Sequence, residues 1–260
     1  MFRLRIALQL ASLPMSFRHA LAAARQIGVE AVEIDARGEV NPTDVRGTAL
    51  RQVRKLLDDQ NLRVAALEFR TRHGYHEAEG LDRRIQATKD AMEFAHALGA
   101  TVVTNHIGPI STDDSTPEWK TMVEALTDLA LHSQRSGAML SALAGTDSGA
   151  SLRKLLDALP PGLIGVTLDP GMLIARGFEP LEVVEAVGSA IVHAHADDAI
   201  RERTAPRGTM VQLGRGSVDY PALLGALEER QYRGYLSIRT SGTGDAATEL
   251  SDAVKYLRRL

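Results

Sequence analysis

The stretch IVHAHADD, residues 191–198, places two histidines and two aspartates within eight residues, directly after an apolar run. Imidazole nitrogens and carboxylate oxygens bind divalent metal ions, and they are also the usual groups of general acid–base catalysis. The same pattern suits a polar strand end whose side chains are hydrogen-bonded to their neighbours. His193 and His195 therefore allow two interpretations, a functional site or a structural strand end, and the residues alone leave both open.

The composition narrows the chemistry of such a site. The chain has 260 residues and no cysteine, which excludes disulfides and thiolate metal ligands. The remaining strong ligands are His, Asp and Glu, which favour Mg, Mn or Zn. The net charge of -3 gives no basic excess for a nucleic-acid partner. With no long apolar run either, we expect a cytoplasmic protein with no nucleic-acid partner and no membrane association.

Short apolar runs rich in strand-forming residues alternate along the chain with longer segments of helical period. This alternation is typical of parallel βα units. Ser16 marks the beginning of the first helical segment, and Gly28, Gly99 and Gly137 mark the ends of three of them. The strand candidates are residues 4–9, 30–35, 62–69, 100–106, 138–144, 164–169, 190–196 and 234–240.

Eight such units predict an α/β protein with a single (β/α)8 TIM barrel over residues 1–260. An open doubly wound sheet would carry a glycine-rich turn after its first strand, whereas QLASLPMSF (9–17) contains no glycine. Catalytic residues of such barrels lie at the carboxyl ends of the strands. Those ends supply the candidates Gln9, Glu33, Asp35, Glu68, Asn105, His106, Leu143, Asp169, His193, His195 and Arg239.

Five segments carry a family likeness: GVEAVEI (28–34), LGATVVTNHIG (98–108), IGVTLDPGM (164–172), IVHAHADD (191–198) and LGRGSVDYPALLGALEERQYRGYLSI (213–238). In this order and spacing the sequence resembles the xylose-isomerase-like TIM-barrel superfamily, the sugar isomerases and epimerases that include tagatose and psicose 3-epimerases. The resemblance covers nearly the whole chain, and the last segment is the most specific. It implies isomerase or epimerase chemistry on a small polyhydroxylated keto-sugar or sugar phosphate.

The resemblance also implies a divalent ion, commonly manganese, held by a glutamate on the fifth strand, an aspartate on the sixth, a histidine on the seventh and a glutamate on the eighth. The two glutamates would also move a proton next to a carbonyl. Asp169 and His195 match the aspartate and the histidine. Leu143 falls at or within one residue of the first glutamate position, and Arg239 occupies the second. Met172 stands where the family has a further histidine.

These departures predict a degenerate metal site. Asp169 and His195 remain as residual ligand positions, and two donors bind a hard divalent ion weakly. An arginine repels such an ion by about 4 kcal/mol for each pair of unit charges at about 4 Å in a surface-like dielectric. We expect no metal at full occupancy, with Mn or Mg as the alternative. Our hypothesis is that Arg239 pairs with Asp169 or holds an anionic group of the substrate.

Other side chains then have to supply the acid–base chemistry. The catalytic candidates are Glu68, His106, His195 and Arg239, and the substrate-binding candidates are Glu33, His193, Asp169 and Arg239. Strand alternation places His193 and His195 on one face. Asp197 and Asp198 follow the strand, so we interpret them as a solvated loop start or a helix N-cap pair.

Two functions stay open at this point. The first is an isomerase or epimerase-type enzyme with a metal-free or weak-metal site, and the second is a non-catalytic, ligand-binding descendant of the same family. The paired replacements at Leu143 and Arg239 favour the second, whereas the retained Asp169, His195, Glu33 and Glu68 favour the first. Either way the expected partner is a small carbohydrate, and a homo-oligomer is left open.

Overall fold

The computed structural model describes residues 4–201, 207–242 and 244–260, and its centre is a closed barrel of eight parallel strands. The barrel strands are β1 (Ile6–Gln9), β2 (Ala31–Asp35), β3 (Arg63–Glu68), β4 (Val102–Asn105), β5 (Met139–Ala144), β6 (Gly165–Leu168), β7 (Ile191–Ala196) and β10 (Leu236–Ile238). Two short strands, β8 (Asp198–Ile200) and β9 (Thr209–Val211), form a separate antiparallel pair. The (β/α)8 prediction is confirmed, and each predicted barrel strand lies within two residues of the observed bounds.

Helices surround the barrel. They are α1 (Phe17–Ile27), α2 (Thr48–Asp59), α3 (Leu81–Ala97), α4 (Pro117–Ser136), α5 (Gly149–Asp157), α6 (Pro170–Arg176), α7 (Pro180–Val187), α8 (Tyr220–Glu229) and α9 (Ala246–Leu257). Gly28 and Gly137 end α1 and α4 with left-handed φ values of 91° and 76°, as the sequence predicts. Ser16 precedes α1 but makes no capping bond to the backbone; its hydroxyl lies 2.8 Å from His19 Nδ1 instead.

The strand register sorts side chains between the barrel interior and the surrounding core. Leu8, Ile34, Leu67 and Leu140 are buried in the main apolar core with residues of the helices. Neighbouring residues in the register point inward together: Gln9 pairs with Glu33, and His195 pairs with Ser237. The barrel interior therefore collects polar side chains at its carboxyl end.

No helix in the described residues is both long enough and apolar enough to cross a membrane. The cytoplasmic location and the homo-oligomer stay predictions.

A buried aspartate holds the loop that follows β9. The carboxylate of Asp198 accepts backbone N–H groups of Ala199 at 2.9 Å, Gly214 at 3.1 Å, Gly216 at 2.8 Å and Val218 at 3.0 Å. Asp198 is 0% exposed, so our interpretation of it as a solvated loop residue or a helix cap is wrong. The error arose because the sequence does not show that Asp198 begins β8 or that the loop before α8 folds back over it.

We expect Asp198→Ala to destabilise the fold by about 3 kcal/mol or more, because each buried N–H left without an acceptor costs about 1–3 kcal/mol. Urea denaturation measures this loss, and amide hydrogen exchange should show faster exchange at Gly214, Gly216 and Val218. Asp219→Ala is the matched control, since Asp219 is exposed and its side chain accepts one backbone N–H within the described residues, that of Ala222 at the beginning of α8. Its expected cost is about 1 kcal/mol. Equal losses in both variants would contradict the anchoring role of Asp198.

Candidate active site

A chain of buried ionisable side chains runs along the barrel interior from the amino half to the carboxyl mouth. We call it the axial network; its members are His193, Glu33, His195, Asp169, Arg239 and Asp197. Apart from Arg239, which is partly buried, every member is at most 4% exposed. Charged groups at this depth are stable only when paired and hydrogen-bonded, and each member contacts the next.

The inner half of the axial network is a carboxylate between two imidazoles. Glu33, on β2, accepts hydrogen bonds from His193 Nε2 at 3.1 Å and from His195 Nε2 at 3.3 Å. The Thr104 hydroxyl donates to the same carboxylate at 3.4 Å, and the side-chain amide of Gln9 lies 3.1 Å from His195 Nε2. Glu33 therefore fixes both rings of the HAH pair.

The outer half is an aspartate held between a histidine and an arginine. His195 Nδ1 donates to Asp169 Oδ2 at 3.1 Å, and Arg239 Nη2 lies 3.1 Å from Asp169 Oδ1 and 3.0 Å from Oδ2. Asp169 also caps α6 by accepting Met172 N–H at 3.0 Å. The same guanidinium contacts Asp197, which is fixed by Gly171 N–H at 2.9 Å. The expected contact between Arg239 and Asp169 is therefore present.

The electrostatics of the network follow from these contacts. Burial acts to lower the pKa of His195, but the charge of Glu33 and the hydrogen bonds to Asp169 and Glu33 raise that pKa to about 10. Burial acts to raise the pKa of Asp169, but the Arg239 guanidinium and His195 hold it well below its ordinary value. Burial and the neighbouring Asp169 charge raise the pKa of Asp197 to about 6, against the opposing charge of Arg239. At neutral pH His195 and Arg239 are therefore both cationic.

Two further predicted residues lie at the mouth, beside the network. Glu68 ends β3 and accepts a hydrogen bond from Arg70 Nε at 2.7 Å. Burial and the charge of Glu33 raise the pKa of Glu68. His106 follows β4, and its partial burial, together with the charge of Arg70, lowers its pKa. A neutral imidazole and a carboxyl group of raised pKa are the two forms that accept and donate protons near neutral pH.

The loop after β2 adds a carboxyl group that the sequence did not single out. Glu39 Oε2 accepts the backbone N–H of Asp35 at 2.8 Å. Burial raises the pKa of Glu39 to about 7, and the nearby carboxylates of Asp35, Glu68 and Glu33 act in the same direction. Glu39 is therefore a carboxyl group with a pKa near neutrality, close enough to Glu33 and Glu68 to sense their charges.

The donor set does not fit the four-ligand metal site that the resemblance implies. Leu143 pairs with Thr167 in the register of β5 and β6, and the Ser141 and Thr167 hydroxyls, 2.7 Å apart, bond across these two strands. Leu143 thus stands on the polar inner face with an alkyl side chain, at or within one residue of the position where the resemblance implies an oxygen donor. Arg239 places a cation on Asp169 itself.

A second arrangement of possible ligands occurs deeper in the barrel. In the part of the chain that the structure describes, only Glu33, His193 and His195 bring three potential ligand atoms within 4.8 Å of one another. These atoms are already used in hydrogen bonds between the three side chains. We therefore derive no step through a metal.

The structure joins five of the predicted site residues, Glu33, Asp169, His193, His195 and Arg239, in one network. Their catalytic and binding roles stay predictions, as do those of Glu68 and His106. Asp197 was missed: it is 4% exposed and contacts Arg239, so its interpretation as a solvated residue or a helix cap is wrong. Its position two residues after His195, on the same side of the extending strand, is the signal that could have found it.

Comparison with known proteins agrees with the barrel fold. The sequence model of the family described as "Xylose isomerase-like TIM barrel" matches residues 21–260. The chain belongs to this family.

Among curated relatives, an inosose dehydratase of Clostridium perfringens is 24% identical over 251 residues, covering 84% of this chain and 81% of the relative. A xylose isomerase domain protein of Planctomyces limnophilus superposes with a TM-score of 0.85 at 22% identity, covering 98% and 96% of the two chains. The 3-keto-D-glucoside 4-epimerase of E. coli superposes with a TM-score of 0.76 at 16% identity, covering 99% and 100%. These structural likenesses show the shared fold.

We expect Glu39→Gln to stabilise the protein at alkaline pH. A carboxyl group whose folded pKa is raised from 4.5 to about 7 contributes stability that is complete below pH 4.5 and is lost as the pH rises through 7. The amide keeps the acceptor for Asp35 N–H and carries no charge. Above pH 7 the variant should therefore be more stable by about 1–2 kcal/mol, once solvent screening of this half-buried group is allowed for.

Urea denaturation at pH 4.5 and pH 8 measures the difference. Glu185→Gln, at an exposed position of α7, is the control and should show no such pH-dependent gain. A Glu39→Gln variant that is as stable as the wild type at pH 8 would contradict the raised pKa.

Proposed function

We propose that this protein catalyses metal-independent proton transfer at a carbon next to the carbonyl group of a small polyhydroxylated ketone. The observation that carries the proposal is the contact of the Arg239 guanidinium with Asp169, at 3.0–3.1 Å. A fixed cation thereby stands where the family resemblance implies a metal-ligand carboxylate. An arginine and a protonated histidine supply positive charge that does not depend on an ion.

The outward end of the axial network is the part suited to meet a substrate. The side chain of Arg239 is 16% exposed, whereas those of His195 and Asp169 are 0% and 1% exposed. Removing a proton next to a carbonyl places negative charge on the carbonyl oxygen, and a preorganised donor that meets this charge lowers the barrier. All of the contacts of Arg239 with the carboxylates use Nη2, and within the described residues Nε and Nη1 make no hydrogen bond, so Arg239 is our candidate for this donor.

The proton itself has two candidate carriers at the mouth, His106 and Glu68. The lowered pKa of His106 keeps its ring neutral and able to accept a proton from carbon. The raised pKa of Glu68 makes its carboxyl group a better proton donor near neutral pH than an ordinary surface glutamate. The strands that carry them, β3 and β4, are neighbours, so the two groups approach a substrate from one side of the barrel. Arg70 holds Glu68 in place.

The relatives support the substrate class. An inosose dehydratase and a 3-keto-D-glucoside 4-epimerase are both named for reactions of keto-sugars or keto-polyols. Elimination of a hydroxyl group and inversion of a centre beside a ketone share one first step, the loss of a C–H proton next to the carbonyl. We extend that shared step, and a small keto-carbohydrate as the substrate, to this chain.

A non-catalytic, ligand-binding role is the second candidate. The observation that favours it is the absence of a carboxylate at both Leu143 and Arg239, the positions of the acid–base pair implied by the resemblance. The two functions differ in one measurable property, the exchange of substrate hydrogen with solvent.

We expect the wild-type protein to bind Mn²⁺ weakly or not at all, because Arg239 repels the ion and Leu143 offers no donor. The combined change Leu143→Glu and Arg239→Glu restores four oxygen or nitrogen donors with Asp169 and His195. This variant should gain Mn²⁺ affinity of at least about tenfold over the wild type. Metal analysis after dialysis and calorimetric titration measure it.

The control is a single change that adds a carboxylate to β5 and keeps Arg239. Leu143→Glu serves for this, whereas Leu140→Glu would place the carboxylate in the apolar core. Stoichiometric Mn²⁺ in the wild-type protein would refute the metal-independent mechanism.

Proton transfer is tested by incubating the protein with a panel of keto-sugars and inososes in D2O and following loss of the proton signal beside the carbonyl by NMR. We expect exchange with at least one substrate, and a reduction of about 100-fold or more in His106→Gln and Glu68→Gln. His96→Gln, at an exposed position near the end of α3, is the control and should retain the wild-type rate. Saturable sugar binding without exchange would instead establish the ligand-binding role, and neither binding nor exchange would refute both.

A further inference from the structure

A large cavity lies at the amino end of the barrel, opposite the mouth that holds the candidate active site. Its volume is about 580 Å³, and its walls come from the amino ends of β1, β3, β4, β7 and β10 and from α2. The polar lining includes four arginines, Arg5, Arg54, Arg63 and Arg233. This volume lies in the range of about 300–1,000 Å³ that small-molecule sites occupy.

The cavity concentrates positive charge in a protein whose net charge is -3. Asp58 is the one acidic residue among the described residues of the lining, against the four arginines. Arg54 and Arg63 form no hydrogen bond or ion pair with any side chain in the described part of the chain. Four like charges around one concave surface repel one another, so a bound anion would relieve the arrangement.

Two of the arginines are held in place rather than free in solvent. The Arg5 guanidinium lies 3.8 Å from the centre of the Tyr235 ring, and Arg5 Nη1 donates to the backbone carbonyl of Arg233 at 3.1 Å. Arg233 Nη1 donates to the carbonyl of Tyr232 at 3.0 Å. These partners are an aromatic face and neutral carbonyls, so both guanidinium groups keep their charge and further donors for a ligand.

The interior of the barrel leaves room at this end. Ala7, Ala31 and Ala65 form a small apolar cluster with Tyr235, separate from the main core. Ala65 and Tyr235 of this cluster line the cavity and form its apolar floor. His193 itself lines the cavity. The cavity thus combines an apolar floor with a cationic rim.

We propose that the amino-end cavity binds a small multivalent anion of the phosphate-ester class. Guanidinium groups bind phosphate oxygens through paired N–H donors, and several of them around one concave site suit a dianion. The apolar floor suits the organic part of an ester. The same four arginines repel cations, which excludes a metal site at this end.

Calorimetric titration of the 260-residue protein with glycerol 3-phosphate, inorganic phosphate and succinate, at constant ionic strength, tests the proposal. The variant Arg54→Gln/Arg63→Gln removes the two unpaired cations, both of which are exposed. The control Arg18→Gln/Arg25→Gln removes the same charge from exposed positions of α1 that do not line the cavity. Circular dichroism checks that each variant is folded, and the single changes serve if a double variant folds poorly.

We expect saturable one-to-one binding to the wild type, weakened at least about tenfold by the Arg54 and Arg63 changes and unchanged by the control pair. No saturable binding up to about 10 mM would overturn the proposal. Equal weakening in both charge-matched pairs would also overturn it, because a general charge effect would then explain the binding. Binding that neither double variant weakens would also overturn the proposal, because the anion would then bind at the mouth and not in the amino-end cavity. Tighter binding of succinate than of either phosphate would refute the phosphate-ester class.

Discussion

The contact between Arg239 and Asp169 is the interaction on which the interior of this barrel depends. Asp169 directly follows β6, caps α6 and accepts a hydrogen bond from His195, so its charge state affects the charge states of its neighbours. The arginine keeps this carboxylate ionised, and the ionised carboxylate in turn helps to keep His195 protonated. The resemblance implies a carboxylate at position 239. Such a carboxylate would put a negative charge beside Asp169 in place of the positive one, and a bound cation would then be needed to compensate it.

Burying so many charges is unfavourable unless every one of them is paired. In the axial network, two cations lie among three carboxylates, and backbone N–H groups of α6 complete the coordination of Asp169 and Asp197. Removing either cation would leave buried carboxylates without a partner, at a cost of about 3–5 kcal/mol. The same contacts that stabilise the folded barrel therefore hold the positive end of Arg239 toward the mouth.

The two ends of the barrel use cations differently. At the carboxyl mouth Arg239 and Arg70 are each paired with a buried carboxylate, which fixes their positions and reduces their net field. At the amino end, Arg5 and Arg233 are held by an aromatic ring and by backbone carbonyls, which fix position without neutralising charge. The mouth is thus suited to charge that appears during a reaction, and the amino end to a ligand that arrives already charged.

The sequence by itself determined the barrel, because alternating apolar runs and helical segments are local patterns that can be recognised without knowing the tertiary contacts. It also determined which strand ends carry His193, His195, Asp169 and Arg239, and that Leu143 and Arg239 break the ligand set of the family. Strand periodicity indicated that the two histidines share a face, although it could not say which partners they meet.

Only the tertiary structure decided the partners. Glu33 lies 160 residues before His193 in the chain, and their contact exists because the closed register brings β2 and β7 to the same interior. The burial of Asp197 and Asp198 depends on the β8–β9 pair and on the loop that folds over it, neither of which has a strong local pattern. The burial and the pKa of each side chain in the axial network depend on neighbours that are distant in the sequence. They therefore follow from closure of the barrel and not from any one segment.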